Sequence, residues 1–130
     1  KLINPYEFIN LCNSNPRGYL LCDFKDKKSV ASECFAAEKK EPYLMSVIKD
    51  IVKAHENNSF QNLHTLWYTG PFRMRDTLQN CKTAQTILNV KDVFVYDYSE
   101  IREMPEREMV QPMIHYWMHS WVQKKQIEQQ

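Results

Sequence analysis

Residues 42–56 read PYLMSVIKDIVKAHE, and this stretch is the clearest guide to the fold of the chain. Apolar side chains recur there at the spacing of one helical face, while the charged side chains fall on the opposite face. The pattern predicts an amphipathic helix that begins at Pro42 and ends at Asn57-Asn58-Ser59. His55 falls on the apolar face, where a packed or partly exposed histidine is a better interpretation than a functional one.

Segments on either side of this helix have the composition of strands and helices. Three apolar and aromatic runs predict strands, namely Tyr19–Phe24, Leu63–Tyr68 and Asp92–Tyr98. Asn4 and Pro5 suit the N-cap and first position of an opening helix. Helical spacing resumes after Pro71 and continues to Ala84. Strands that alternate with helices predict an α/β fold.

Length and charge limit the kinds of protein that this chain can be. Its 130 residues support one domain, predicted over residues 1–122, followed by a polar tail over residues 123–130. With 17 basic and 16 acidic residues the net charge is +1, so no overall attraction to nucleic acid is expected. No apolar run approaches the roughly 20 residues needed to span a bilayer, so no membrane span is expected.

The four cysteines bear on the compartment. They are scattered along the chain without a C-x-x-C pair, which argues against a zinc knuckle. Free thiols slightly favour a reducing compartment, although an even number of cysteines leaves a secreted, disulfide-bonded protein open.

One of only two glycines lies in a candidate binding turn, Tyr68-Thr69-Gly70-Pro71. A glycine between an apolar run and a proline-started helix leaves room for a ligand close to free backbone amides. A simple turn, in which the proline only sets the backbone geometry, explains the same residues and is favoured when the turn is considered alone.

Residues 115–121 read HYWMHSW and form the densest group of functional side chains. On a helix, His115 and His119 would share one side, and so would Trp117 and Trp121. Burial in a core would explain the tryptophans. It explains the two histidines and Ser120 less well, so the residues alone leave a site and a packed helix equally open.

Three of these segments occur in an order that resembles glycosyltransferase family 32, the sugar transferases with a D-x-D motif. The segments are residues 34–44 (CFAAEKKEPYL), Thr69-Gly70-Pro71 and residues 115–121. The likeness covers roughly residues 19–121, and the final H-x-W-x-x-S-W is its most specific part.

The resemblance implies a fold of the GT-A type, in which an α/β sheet binds a nucleotide sugar and a divalent metal, Mn²⁺ or Mg²⁺. It also implies substrate or nucleotide binding by a set of six residues: Thr69, Gly70, Pro71, Trp117, Ser120 and Trp121. His115 is the tentative metal ligand. The implied partners are the nucleotide sugar and a glycan or protein acceptor, and the implied compartments include the Golgi lumen where a membrane anchor accompanies the chain.

The chain departs from the family at the metal site. It contains no D-x-D, and Glu41 stands where the family often has histidine. A hard divalent cation needs oxygen ligands with negative charge, so the isolated chain is predicted to be inactive. Two hypotheses follow: the C-terminal part of a larger glycosyltransferase, or a non-catalytic derivative that serves other protein subunits as a structural or interaction protein. An unrelated α/β binding domain is a weaker third.

Overall fold

The computed structural model describes residues 1–25 and 29–118, and it confirms a mixed α/β fold. The described helices are α1 (Pro5–Ser14), α2 (Pro42–Glu56), the single turn α3 (Thr65–Tyr68) and α4 (Pro71–Asn80). The described strands are β1 (Gly18–Cys22), β2 (Ala36–Ala37) and β3 (Thr86–Asn89). The extent of the domain and the polar tail stay predictions, because residues 119–130 lie outside the described part.

A small mixed sheet organises these elements in the order β2-β1-β3. β1 pairs antiparallel with β2 and parallel with β3, in a register that sets Tyr19 opposite Thr86 and Cys22 opposite Asn89. The buried Gln85 amide donates to the carbonyl oxygens of Ala36 at 2.6 Å and Tyr19 at 3.4 Å, which holds the sheet together at the start of β3.

The central strand β1 divides the core into two sides. Tyr19 and Leu21 lie in one cluster with Val93 and Phe94, and Leu11 of α1 packs against that cluster. Leu20 points to the opposite side, where it joins buried residues of α2 and α4: Tyr43, Val47 and Met74. Successive side chains of a strand point to opposite faces, so a strand buried on both sides is apolar throughout.

Polar contacts fix α2 against α4 and against the loop before β3. The Tyr43 hydroxyl donates to the Met74 carbonyl at 2.6 Å, and the Thr77 hydroxyl donates to an Asp50 carboxylate oxygen at 2.7 Å. The Glu41 carboxylate, buried at the start of α2, accepts hydrogen bonds from the loop residues 83 and 84. Negative charge at a helix N-terminus is favourable, so Glu41 stabilises the fold. The family that the sequence resembles often has histidine at this position.

The predicted strand over Leu63–Tyr68 is wrong. Residues 65–68 form α3, and its first turn is capped by His64, whose Nδ1 accepts from the Leu66 amide at 3.2 Å. Trp67 is 42% exposed. The run is apolar but has no partner strand, so local capping decides its conformation.

The predicted strand over Asp92–Tyr98 is also wrong. The strand in this part of the chain is β3, which ends at Asn89, before the predicted residues. The chain turns at residues 90–92, where the Asp92 carboxylate accepts the Asn89 amide at 3.1 Å. Val95 then donates to the Met113 carbonyl at 3.0 Å, and Met113 donates to the Val93 carbonyl at 3.1 Å. Residues 93–96 are apolar and buried. They do not form a strand, because their pairing with residue 113 is limited to an isolated bridge.

The described residues also bear on membrane spans and on cysteine pairing. No helix among the described residues is long and apolar enough to cross a membrane. All four cysteines fall within the described residues, and each is a free thiol there.

Candidate functional site

A cavity of about 270 Å³ lies where the two parallel strands end. Asp23 directly follows β1, Val90 directly follows β3, and both line the cavity. In α/β sheets ligands bind outside the carboxyl ends of parallel strands. The sheet therefore places this cavity where the fold class most often has a binding site.

Three of the sequence-predicted site residues meet in this cavity. Pro71, the first residue of α4, forms part of its wall together with His115 and Trp117. The turn after α3 and the C-terminal segment are thus adjacent in the fold although they are far apart in sequence.

Two other predicted residues, Thr69 and Gly70, lie outside this cavity. A Cβ on Gly70 would lie 3.0 Å from the Leu66 Cα, so the backbone that closely approaches this glycine is that of α3. The Thr69 hydroxyl donates to the Thr65 carbonyl at 3.4 Å. Ser120 and Trp121 lie outside the described residues.

The described part of the C-terminal cluster, residues 115–118, does not form the helix that its spacing allows. Within the described chain, residues 111–118 contain no helical turn, and Trp117 has a φ of +45°. A residue with a Cβ has a conformational free energy about 1–2 kcal/mol higher in this left-handed region of the backbone. The ring is held by edge contacts with Phe94 at 5.5 Å and Tyr98 at 6.2 Å, which offset that cost.

His115 is anchored on two sides. Its Nε2 lies 3.1 Å from Oε1 of Glu33, and its ring packs against Trp117 with 4.2 Å between ring centroids. The side chains of His115 and Glu33 are 29% and 33% exposed. The pair is therefore open to a ligand in the cavity while the imidazole keeps a fixed orientation.

Two carboxylates in the cavity wall were missed by the sequence reasoning. Asp23 could have been found, because an acidic residue directly after a buried strand is a typical site position. Glu33 gives no such signal, since it lies in an irregular segment and only tertiary contacts bring it to His115.

An ion-paired loop holds Tyr98, another wall residue of the cavity. One Asp97 oxygen accepts from the amides of Ser99 and Glu100 at 3.0 Å each, which fixes the turn around Tyr98. The hydrogen bond from Lys91 to Glu100, helped by Arg107, lowers the pKa of Glu100 to about 2. Ion pairs and hydrogen bonds thus hold the loop that places Tyr98 in the cavity wall near Trp117.

A metal does not fit the described part of this site. Among residues 1–25 and 29–118, no three histidine, cysteine, aspartate or glutamate side chains lie close enough to hold a metal ion. Asp23, Glu33 and His115 share the cavity without forming such a group. The Mn²⁺ or Mg²⁺ implied by the resemblance would need ligands beyond these residues.

A second cavity, of about 410 Å³, adjoins the first. Ser32, Glu33 and His115 line both cavities and form a shared wall. Inside the second cavity the Tyr19 hydroxyl and the Cys34 thiol lie 3.5 Å apart. Burial raises the pKa of both groups, so both stay protonated near neutral pH.

Comparisons with family models, with curated proteins and with solved structures found no match to this chain.

Proposed function

We propose that this chain is the C-terminal part of a GT-A-type, metal-dependent glycosyltransferase that moves a sugar from a nucleotide sugar to a glycan or protein acceptor. One observation supports the proposal: Pro71 and Trp117, which the resemblance assigns to substrate binding, and His115, its tentative metal ligand, line one cavity at the carboxyl ends of parallel strands.

The charges of the cavity support a role in holding the sugar rather than the diphosphate. Its described lining includes the carboxylates of Asp23 and Glu33 but no lysine or arginine. Carboxylate oxygens accept hydrogen bonds from sugar hydroxyls, whereas they repel a diphosphate that lacks a bound cation. The diphosphate and its metal would then lie against residues outside the described part.

In such a transfer the acceptor hydroxyl oxygen bonds to the anomeric carbon while the bond from that carbon to the diphosphate oxygen breaks. The electron pair of the broken bond leaves with the diphosphate, and the hydroxyl proton passes to a carboxylate, for which Glu33 is placed. The indole of Trp117 covers the cavity wall and would exclude water that could hydrolyse the donor.

The test is nucleotide release by the full-length product incubated with Mn²⁺ and UDP-glucose, UDP-galactose or GDP-mannose. Release that requires Mn²⁺ is expected, and Trp117→Phe should reduce it several-fold. Trp67→Phe is the matched control, because Trp67 packs on Phe72 away from the cavity. The absence of both turnover and metal-dependent nucleotide binding would refute the proposal.

One observation favours the second candidate, a non-catalytic derivative that acts as a structural or interaction protein. His115, the tentative metal ligand, already has Glu33 as a partner and packs between Phe94 and Trp117. This arrangement equally suits a histidine that stabilises the fold. Lack of turnover together with destabilisation by His115→Ala would support this role.

A further inference from the structure

We infer that the second cavity is the acceptor side of the site and takes an apolar group, such as an aromatic ring, that carries the reacting hydroxyl. The inference rests on the proposed function, and its first support is the shared wall. Because Ser32, Glu33 and His115 face both cavities, a sugar in the first and an acceptor in the second would meet at these three side chains.

The lining of the second cavity indicates the chemistry of its ligand. About half of its wall is apolar, and the aromatic and aliphatic side chains in it include Phe8, Phe35, Phe94, Met113 and Ile114. Flat apolar walls of this kind bury rings and alkyl groups. A sugar chain with hydroxyls on every side would leave those hydroxyls without partners against such a wall.

The polar residues that line the second cavity are Ser32, Glu33 and His115 of the shared wall, together with Lys1, Tyr19 and Cys34. Glu33 is the only carboxylate among its described lining residues, and it also lines the first cavity. The Tyr19 hydroxyl and the Cys34 thiol are engaged with each other. An acceptor hydroxyl therefore finds its hydrogen-bond acceptor at Glu33, on the side where the sugar would lie.

The volume of the second cavity fits this assignment. At about 410 Å³ it lies within the range of roughly 300–1,000 Å³ that is typical of pockets for small organic ligands. Phe35 is 41% exposed, so the aromatic wall extends to the surface and a larger acceptor could continue outward from it.

The experiment uses Cys34 as a reporter of occupancy. Alkylation of each cysteine by N-ethylmaleimide is followed by peptide mass spectrometry, with phenyl β-D-glucopyranoside or methyl β-D-glucopyranoside as the probe. The two probes differ only in the apolar group. The phenyl glycoside should slow alkylation of Cys34 about fivefold at a concentration about four times its Kd, while the methyl glycoside should not. Cys81 is the internal control, because its thiol donates to Ser46 and lies outside this cavity.

A pair of matched variants locates the protection. Phe35→Ala should abolish the effect of the phenyl glycoside on Cys34. Phe24→Ala should preserve it, since Phe24 is similarly exposed, at 50%, and lines neither cavity. If far-UV circular dichroism shows that Phe35→Ala is unfolded, Phe35→Leu replaces it. This variant should weaken the protection of Cys34 by the phenyl glycoside.

Equal protection by both glycosides, or none by the phenyl glycoside, overturns the inference. Nucleotide-sugar binding, measured separately through tryptophan fluorescence with Mn²⁺, distinguishes this failure from that of the proposed function. Donor binding without phenyl glycoside protection overturns only the acceptor site. Protection without donor binding overturns the acceptor role and the proposed function together, and it leaves an apolar ligand site.

Discussion

The Nε2 of His115 lies 3.1 Å from Oε1 of Glu33, and this contact forms part of the wall between two cavities. It joins the C-terminal segment to the irregular segment between β1 and β2. The contact is partly exposed, so its value lies in orienting the two side chains more than in stability.

Replacing Glu33 should reduce activity while leaving the stability of the fold almost unchanged. Glu33→Ala removes the carboxylate from both cavities, so Mn²⁺-dependent nucleotide release by the full-length product should fall at least tenfold. The free energy of unfolding should change by less than about 1 kcal/mol, because partly exposed ion pairs contribute little. Urea denaturation measures the stability, and Glu38→Ala, which removes an exposed carboxylate paired with Arg17, is the control. Unchanged turnover in Glu33→Ala would remove this residue from the site.

Gly18 should be intolerant of a side chain. Its φ is +89°, and an added Cβ would lie 2.1 Å from the Ala36 carbonyl oxygen in the neighbouring strand β2. Gly18→Ala should therefore lower the free energy of unfolding by roughly 3 kcal/mol or more, since both the backbone and the strand pairing must shift.

The second glycine provides the comparison for that prediction. At Gly70 the nearest contact of an added Cβ is 3.0 Å, so Gly70→Ala should cost roughly 1–2 kcal/mol, less than Gly18→Ala. Urea denaturation of both variants checks the order. A Gly18→Ala protein as stable as Gly70→Ala would contradict the described pairing of β1 with β2.

The hydroxyl of Tyr43 should stabilise the contact between α2 and α4. Tyr43 is fully buried and donates to the Met74 carbonyl, so Tyr43→Phe removes a buried hydrogen bond between the two helices. A loss of about 1–2 kcal/mol in the free energy of unfolding is expected. Tyr6→Phe should leave stability unchanged, because Tyr6 is 83% exposed. Equal stability of the two variants would argue against the Tyr43 hydrogen bond.

Acid should weaken the loop around Tyr98 through Glu100. The pKa of Glu100 is lowered from 4.5 to about 2 in the folded protein, chiefly by its hydrogen bond with Lys91. A carboxyl whose pKa is lower in the folded state stabilises the fold above its unfolded pKa, and that stabilisation is lost as the pH falls through the folded pKa. The contribution of Glu100 should therefore be complete at pH 6 and disappear between about pH 4.5 and pH 2.

The measurement is the free energy of unfolding of wild type and Glu100→Gln across that pH range. The wild type should be more stable by about 1–2 kcal/mol near neutral pH, and the difference should vanish toward pH 2. Asp76→Asn is a suitable control, because its carboxylate pairs locally with the adjacent Arg75. A difference that stays constant with pH would show that Glu100 acts through its shape and not its charge.

Local signals were sufficient where neighbouring residues decide the conformation. Pro5, Pro42 and Pro71 each start a helix at the expected residue, because proline favours the first helical turn and lacks the amide that a later turn would need. The strand predicted over Tyr19–Phe24 is confirmed as β1, since a continuous apolar run suits a strand buried on both faces.

The same local signals gave wrong predictions where contacts between distant residues determine the conformation. The apolar runs 63–68 and 93–96 have the composition of strands, but one is a capped helical turn and the other is a buried irregular segment. Apolar composition reflects burial in residues 93–96 but not in α3, where no residue is buried. Strand formation depends on a partner that the local sequence does not specify. The helical spacing of residues 115–118 also misled, because bridges to residues 2 and 94 hold nearby Met113 in extended conformation.

Interactions within a few residues are enough to predict the α/β class, the starts of the three longer helices and the central strand. The sequence also marks Pro71, His115 and Trp117 as residues of interest. Contacts between distant parts of the chain bring these three to one cavity, add Asp23 and Glu33 to its wall, and form a second cavity behind Glu33 and His115. Parallel pairing of β1 with β3, and packing of the C-terminal segment on Phe94, join residues that no local periodicity connects.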